Sequence, residues 1–320
     1  MIPPQFEYFR PVSLDDALRL LADNEGEAKI LAGGYSLLPL MKYRLAQPGL
    51  LIDIGRVPGL DGISQADGEF HIGARATHAA IAVSAAAAAY DVVREAASGI
   101  GDPQIRNWGT IGGSCAHADP ASDWPAVILA LRGRFVLRSV HGERIVGARG
   151  HAGDADVRLG PAGGRPTHSS VGDKPGSTGG FFKDVFTTDI AADEVLTEVR
   201  IPSPAARTGS AYLKLERRAG DFATVGVAAV VSLADDGRIA QVGIGLTSVA
   251  DAPFAAEHAE DAIRGAHPGD DMFREAGMAA ARQARPAEDR RGPVDYKLAM
   301  VREMTERALR VASTRAAANA

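Results

Sequence analysis

Two short stretches of this chain pair adjacent glycines with hydroxyl side chains: Leu31-Ala32-Gly33-Gly34-Tyr35-Ser36-Leu37 and Thr110-Ile111-Gly112-Gly113-Ser114. Glycine reaches φ > 0 without a Cβ penalty and lets a ligand approach the main chain closely. Successive N–H groups in such a turn make a concave anion site, and a following helix start adds a favourable dipole. Ser36, Thr110 and Ser114 add side-chain donors. Two such turns in separate α/β units suit the two phosphates of a dinucleotide. Taken singly, each reads more readily as an ordinary Gly-Gly turn, and only their shared pattern brings the two readings level.

Other chemistries find little support. No G-x-x-x-x-G-K-[ST] run exists, so there is no P-loop. Gly243-Ile244-Gly245 lacks the third glycine of a Rossmann fingerprint and falls inside a hairpin. Gly34-Tyr35-Ser36 looks like a nucleophile elbow, but Leu38 stands where the last glycine belongs. The eight histidines show no ligand spacing, so we expect no metal site, and we assign no catalytic residue. The lone cysteine, Cys115, excludes an intramolecular disulfide and an iron–sulfur cluster held by this chain alone. With 35 basic and 40 acidic residues, the chain lacks the basic excess of a nucleic-acid binder. Its most apolar stretch, Ala79–Ala89, is far short of the ~20 residues of a membrane span, and no secretory signal opens the sequence, so a cytoplasmic protein is expected.

The elements that must position the glycines follow from apolar spacing. Ser13 caps a short helix, Lys29–Ala32 is a strand, Ser36 opens a helix from Leu37 to about Leu45, and Leu50–Ile54 is a strand. This first unit is a strand–Gly turn–helix–strand element with parallel character. In the second region Phe70–Gly73 reads as a strand, Thr77 as the cap of a helix from His78, and Tyr90–Ala97 as a helix. Gly99–Gly113 reads as an irregular polar loop, Pro125–Leu131 as a helix and Arg134–Leu137 as a strand. Gly147–Gly180, rich in Gly, Pro, Ser and Asp, reads as one long loop. Beyond Pro204 come strands Ala211–Leu215, Ala223–Leu233 and Ile239–Ser248, then helices Phe254–Ile263, Asp271–Ala284 and Val294–Ala312. Strands followed by helices predict a separate α+β domain.

The first glycine segment, extended through Met41-Lys42-Tyr43-Arg44-Leu45, resembles the first FAD loop of the molybdenum hydroxylase flavoproteins. Asp102-Pro103 through Ser114, continuing to Asp119-Pro120-Ala121-Ser122-Asp123, is similar to their second loop, and Lys214 through Phe222-Ala223 to a third segment. The three motifs come in order with fitting spacing, and the similarity runs from Pro3 to about Ala312. The chain thus resembles the FAD-binding medium subunits of the xanthine dehydrogenase family, most of all those of aerobic carbon monoxide dehydrogenase.

That resemblance implies an α+β protein: a two-part α/β FAD-binding domain of the vanillyl-alcohol oxidase (PCMH) type over 1–203, with parts at about 1–57 and 58–203, then a smaller domain over 206–316. It implies that Leu31–Leu37 and Thr110, Gly112, Gly113 and Ser114 hold the FAD diphosphate. Asp123 would bond the sugar part of the cofactor, Lys214 and Phe222 would approach the isoalloxazine, and Ile100 would wall it. It also implies partners: a molybdenum-cofactor large subunit and a [2Fe-2S] small subunit, in a dimer of heterotrimers that passes electrons through FAD to an external acceptor. Ser114 replaces the Asn usual in the carbon monoxide enzymes, and Phe222 replaces a Tyr, so a hydroxyl at Phe222 is lost. The residues by themselves leave Asp123 as a simple helix cap, Lys214 as an edge charge and Phe222 as core. Two rival readings are a self-sufficient FAD oxidoreductase and a non-enzymatic binder of a phosphate ligand.

Overall fold

A computed structural model describes residues 2–150, 157–159 and 180–319. The first unit contains β1 (Glu7–Phe9), α1 (Leu14–Asp23), β2 (Ala28–Leu31), α2 (Leu37–Lys42) and β3 (Leu50–Asp53). Its strands form a parallel sheet ordered β1-β3-β2. Ser13 Oγ accepts from the Asp16 N–H at 3.1 Å, which starts α1. Ala17, Leu18 and Leu21 then face Leu50 and Ile52 in one small core. α2 stops at Lys42, three residues short of expectation. Arg44 adopts φ 59°, a left-handed conformation that breaks the helical turn.

The middle unit runs through β4 (Ile63–Ala66), β5 (Glu69–Gly73), α3 (His78–Val83), α4 (Asp91–Gly99), α5 (Pro103–Trp108), α6 (Ile111–His117) and α7 (Asp123–Ala130). It continues through β6 (Arg134–Ser139), β7 (Gly142–Gly147), β8 (Val157–Leu159), β9 (Phe182–Asp184), β10 (Thr187–Thr188) and β11 (Val195–Pro202). A six-stranded antiparallel sheet in the order β4-β5-β11-β6-β7-β8 carries the largest core, built around Phe70, Tyr90, Trp124, Phe135 and Phe181. The expected irregular loop over Gly99–Gly113 is instead largely helical. Asp102 Oδ1 accepts from the Ile105 N–H at 2.8 Å and Pro103 opens α5, while Thr110 caps α6. Both helices are only one or two turns long, too short for an apolar period to show. Most of the expected loop at 147–180 lies outside the described residues, but Val157–Leu159 within it pairs with β7 as a strand.

The last unit is an antiparallel sheet of β12 (Thr208–Leu215), β13 (Val225–Leu233), β14 (Ile239–Thr247) and β15 (Phe254–Ala255), followed by α8 (Glu257–Ile263), α9 (Asp270–Gln283) and α10 (Val294–Ala318). Phe254 and Ala255, expected in a helix, pair with Leu246 and Gly245, and the helix starts only at Glu257. α7, buried along its whole length, lies against β14. A Cβ on Gly243 would fall 2.0 Å from Ala130 O, and one on Gly245 1.9 Å from Ala126 O. The Gly243-Ile244-Gly245 motif therefore serves close sheet–helix packing. Across the same junction, Arg149 donates to both carboxylate oxygens of Glu260 at 2.8 and 2.7 Å, with both side chains almost fully buried. Among the described residues no helix is long and apolar enough to cross a membrane.

Candidate functional site

β2 delivers the chain into the first glycine turn. Gly34 adopts φ 78°, and a Cβ on Gly33 would sit 2.0 Å from Trp108 O and 3.1 Å from Gly109 Cα. The two predicted loops therefore meet backbone to backbone, and only glycine at position 33 permits the approach. Among the described residues, the main-chain N–H groups from Gly33 to Leu37 have no acceptor within the chain. They are partly open to solvent, with the Tyr35 side chain exposed. An unspent row of donors at a glycine turn is what an anionic group requires.

The second loop is built differently. Ile111 and Gly112 donate to Ala76 O and Ala74 O at 3.1 and 2.9 Å, and Gly113 donates to Thr110 Oγ1 at 3.1 Å. Gly112 is further required by packing, since its Cβ would lie 2.5 Å from that of Ala74. Gly113 has open space on its Cα face apart from Thr110 Oγ1. Ser114 Oγ and Ser122 Oγ are 2.7 Å apart. What this loop can offer a ligand is hydroxyl hydrogens and the bare Cα of Gly113, with the N–H groups of 111–113 already engaged.

Behind the loop stands His78, a residue sequence reasoning passed over. Trp124 Nε1–H donates to its Nδ1 at 3.0 Å, and its Nε2 lies 2.8 Å from where a Cβ on Gly109 would stand. Burial, followed by the Arg106 charge, pushes the imidazole down to about 4, so it is neutral at physiological pH.

Asp123 is the first helical residue of α7, with Ser122 in the cap position, and it is buried. Its Oδ1 accepts from Tyr212 Oη at 2.5 Å and its Oδ2 lies 3.2 Å from Lys214 Nζ. Lys214 also donates to Gly99 O at 3.3 Å and lies 3.5 Å from Glu216 Oε2. It is thus an enclosed ion-pair partner and no solvated edge charge. Burial raises the Asp123 carboxyl, opposed by the Lys214 charge and the Tyr212 hydrogen bond. Gly220 packs on the Gly101 backbone, and Arg106 ties down Ile100 O and Gly101 O at 3.0 and 2.8 Å. Ile100 is half-buried beside this knot, and Phe222, two residues past Gly220, is exposed rather than core. The segment 99–109 is the hub: it touches the first glycine turn at one end and the Lys214 cluster at the other. Tyr212, in the predicted strand, and Glu216, within the third motif, were given no role by the sequence. Their signal was the strand period, which puts 212, 214 and 216 on one face.

Residues 4–157 match the family described as FAD binding domain in molybdopterin dehydrogenase, and residues 210–312 match CO dehydrogenase flavoprotein C-terminal domain. The carbon monoxide dehydrogenase medium chain of Hydrogenophaga pseudoflava is 39% identical over 99% of this chain and 100% of its own. The nicotine 6-hydroxylase medium subunit of Paenarthrobacter nicotinovorans is 36% identical over 98% of this chain and 99% of its own. The structure of a Hydrogenophaga pseudoflava carbon monoxide dehydrogenase lacking the Mo-pyranopterin moiety superposes with a TM-score of 0.86 at 40% identity, covering 98% of this chain and 99% of that one. Full-length similarity, both domain matches and the paired glycine turns lead to one conclusion: the chain belongs to the FAD-binding medium subunits of the molybdenum hydroxylase family.

Proposed function

We propose that this chain is the electron outlet of a three-subunit molybdenum hydroxylase. It assembles with a molybdenum-cofactor large subunit and a [2Fe-2S] small subunit, as a dimer of heterotrimers in the cytoplasm. The observation that carries this reading is the Gly33 turn, pressed on Trp108 O with its row of unspent N–H donors. The donors from Gly33 to Leu37 fit one end of the FAD diphosphate, flanked by Leu31, Ala32, Tyr35 and the Ser36 hydroxyl. Thr110 and Ser114 supply hydroxyls on the opposite side, and Gly112 and Gly113 keep the backbone low. Ile100 and Phe222 offer apolar surface to a ring system, and Asp123 with Lys214 offers a polar edge.

Bound FAD exchanges one or two electrons, which suits a station between one-electron clusters and a two-electron acceptor. The chain's own part is to bind, orient and shield that group. We read the units as 1–57, 58–203 and 206–316; three cores fall mainly within them, with Leu60 and Val195 joining the first and Tyr212 and Ala228 the second. Relatives acting in carbon monoxide and nicotine oxidation are almost equally similar to it. We therefore place substrate choice, whether carbon monoxide or an N-heterocycle, in the large subunit.

Co-expression with candidate large and small subunits tests this reading. One particle containing FAD, iron and molybdenum is expected. A chain that elutes alone, loaded with FAD and reducing an acceptor with a substrate of its own, would favour a self-sufficient oxidoreductase.

A further inference from the structure

We propose that Tyr212 and Glu216 are positioning residues that set the charge of the Asp123–Lys214 pair, and through it the reduction potential of the bound flavin. This rests on the preceding reading, in which FAD lies against that pair. The geometry is a line of four side chains, buried at Tyr212, Asp123 and Lys214 and partly exposed at Glu216. Tyr212 Oη donates to one Asp123 oxygen at 2.5 Å, and Lys214 Nζ lies 3.2 Å from the other. Glu216 Oε2 lies 3.5 Å beyond Nζ, and this oxygen is buried with no hydrogen-bond partner among the described residues. The line is tied to both sides of the site: Lys214 donates to Gly99 O, next to Ile100, and Asp123 follows Ser122, which pairs with Ser114.

Among the described residues, the groups acting on the carboxylate are Lys214, Tyr212 and Glu216. Near it in the fold, Ser114 of α6 bonds Ser122, the Cys115 thiol is buried, and neutral His78 of α3 accepts from Trp124. From α4, Glu95 accepts from the Tyr212 N–H at 2.7 Å and is neutralised by Arg315 of α10 at 2.7 Å. From β14, Thr247 donates to Pro120 O and Ser122 O.

With Asp123 and Glu216 ionised and Lys214 protonated, the line carries one excess negative charge. Reduction adds negative charge to a flavin, so this excess lowers the potential, and protonation of Asp123 raises it. The two outer residues act on Asp123 in opposite senses. The Tyr212 hydroxyl stabilises the carboxylate, and its own ionisation is pushed far up by burial and by Asp123, so it remains a donor. Glu216 repels the carboxylate.

The test is reductive titration of the FAD-loaded full chain from about pH 5 to pH 9, for wild type, Tyr212→Phe and Glu216→Gln. The potential–pH curve should break where Asp123 titrates. Tyr212→Phe should move that break up by about one to two pH units, the effect of losing one hydrogen bond to a charged group. Glu216→Gln should move it down, and both variants should keep their full complement of FAD. A merely structural role would not shift the two curves in opposite directions. If Tyr212→Phe fails to fold, the downward shift in Glu216→Gln still decides the matter. FAD-loaded variants whose curves overlay the wild type, or move in the same direction, would overturn this proposal alone. A wild-type chain that takes up no FAD would overturn the underlying reading, and this proposal with it.

Discussion

Replacing Gly33 by alanine probes the contact on which the site depends. The new Cβ would stand 2.0 Å from Trp108 O, 2.8 Å from Trp108 C and 3.1 Å from Gly109 Cα, all of them main-chain atoms with no rotamer to yield. Ordinary contact begins near 3.4 Å, so the turn must retreat from α5 by roughly an ångström. Overpacking of this kind costs about 1–3 kcal/mol. If the strain is relieved by opening the cradle, the loss falls on the ligand, and FAD affinity should drop about tenfold to a hundredfold at 1.4 kcal/mol per decade. The assay is FAD titration by flavin fluorescence, with thermal unfolding measured in parallel. Gly62→Ala is the control, since nothing lies within 4 Å of its Cβ and its φ is not positive, so both FAD affinity and unfolding should stay at wild-type values. A Gly33→Ala chain with wild-type FAD affinity and wild-type unfolding temperature would refute the reasoning.

Three further outcomes follow from buried groups. Glu260→Ala leaves Arg149 buried and unpaired and removes the acceptor of the Ile244 N–H, so we predict a loss of about 3–5 kcal/mol in urea unfolding. A loss under about 1 kcal/mol would contradict that picture. His78 is held near 4 when folded against 6.5 when unfolded, so its stabilising contribution is complete above about pH 6.5. It should fall by about 3 kcal/mol as the pH drops to 4, because the unfolded chain takes up the proton first, and His78→Gln should flatten that part of the stability curve. Cys115 is fully buried and burial pushes its thiol up, so an aromatic disulfide reagent should leave it unmodified in the native protein and titrate it on unfolding.

Much of the scaffold was legible because its signals are local. Ser13 and Thr77 announce their helices through capping hydroxyls, and β13 and β14 through long apolar runs around the Asp235-Asp236-Gly237 turn. α5 and α6 were hidden because one- and two-turn helices have no periodicity to read, although Asp102-Pro103 and Thr110 were present as starts. The first glycine turn could be read as a turn from its composition, while its ligand role needed the second loop and the family resemblance beside it. What composition could not supply was its neighbour: Trp108 and Gly109 come from 75 or so residues away and meet Gly33 only through the packing of the first two units. Tyr212 and Glu216 were within reach of the strand period, but nothing local marks a tyrosine as the partner of an aspartate 89 positions earlier.

The central claim is that the glycine turns hold FAD, and the visible spectrum of the purified chain tests it most directly, with the released cofactor identified after denaturation. If the turns hold FAD, the protein is yellow, or becomes so on adding FAD, with flavin bands and one FAD released per chain. A colourless protein that takes up no FAD, alone or with its partner subunits, would contradict it.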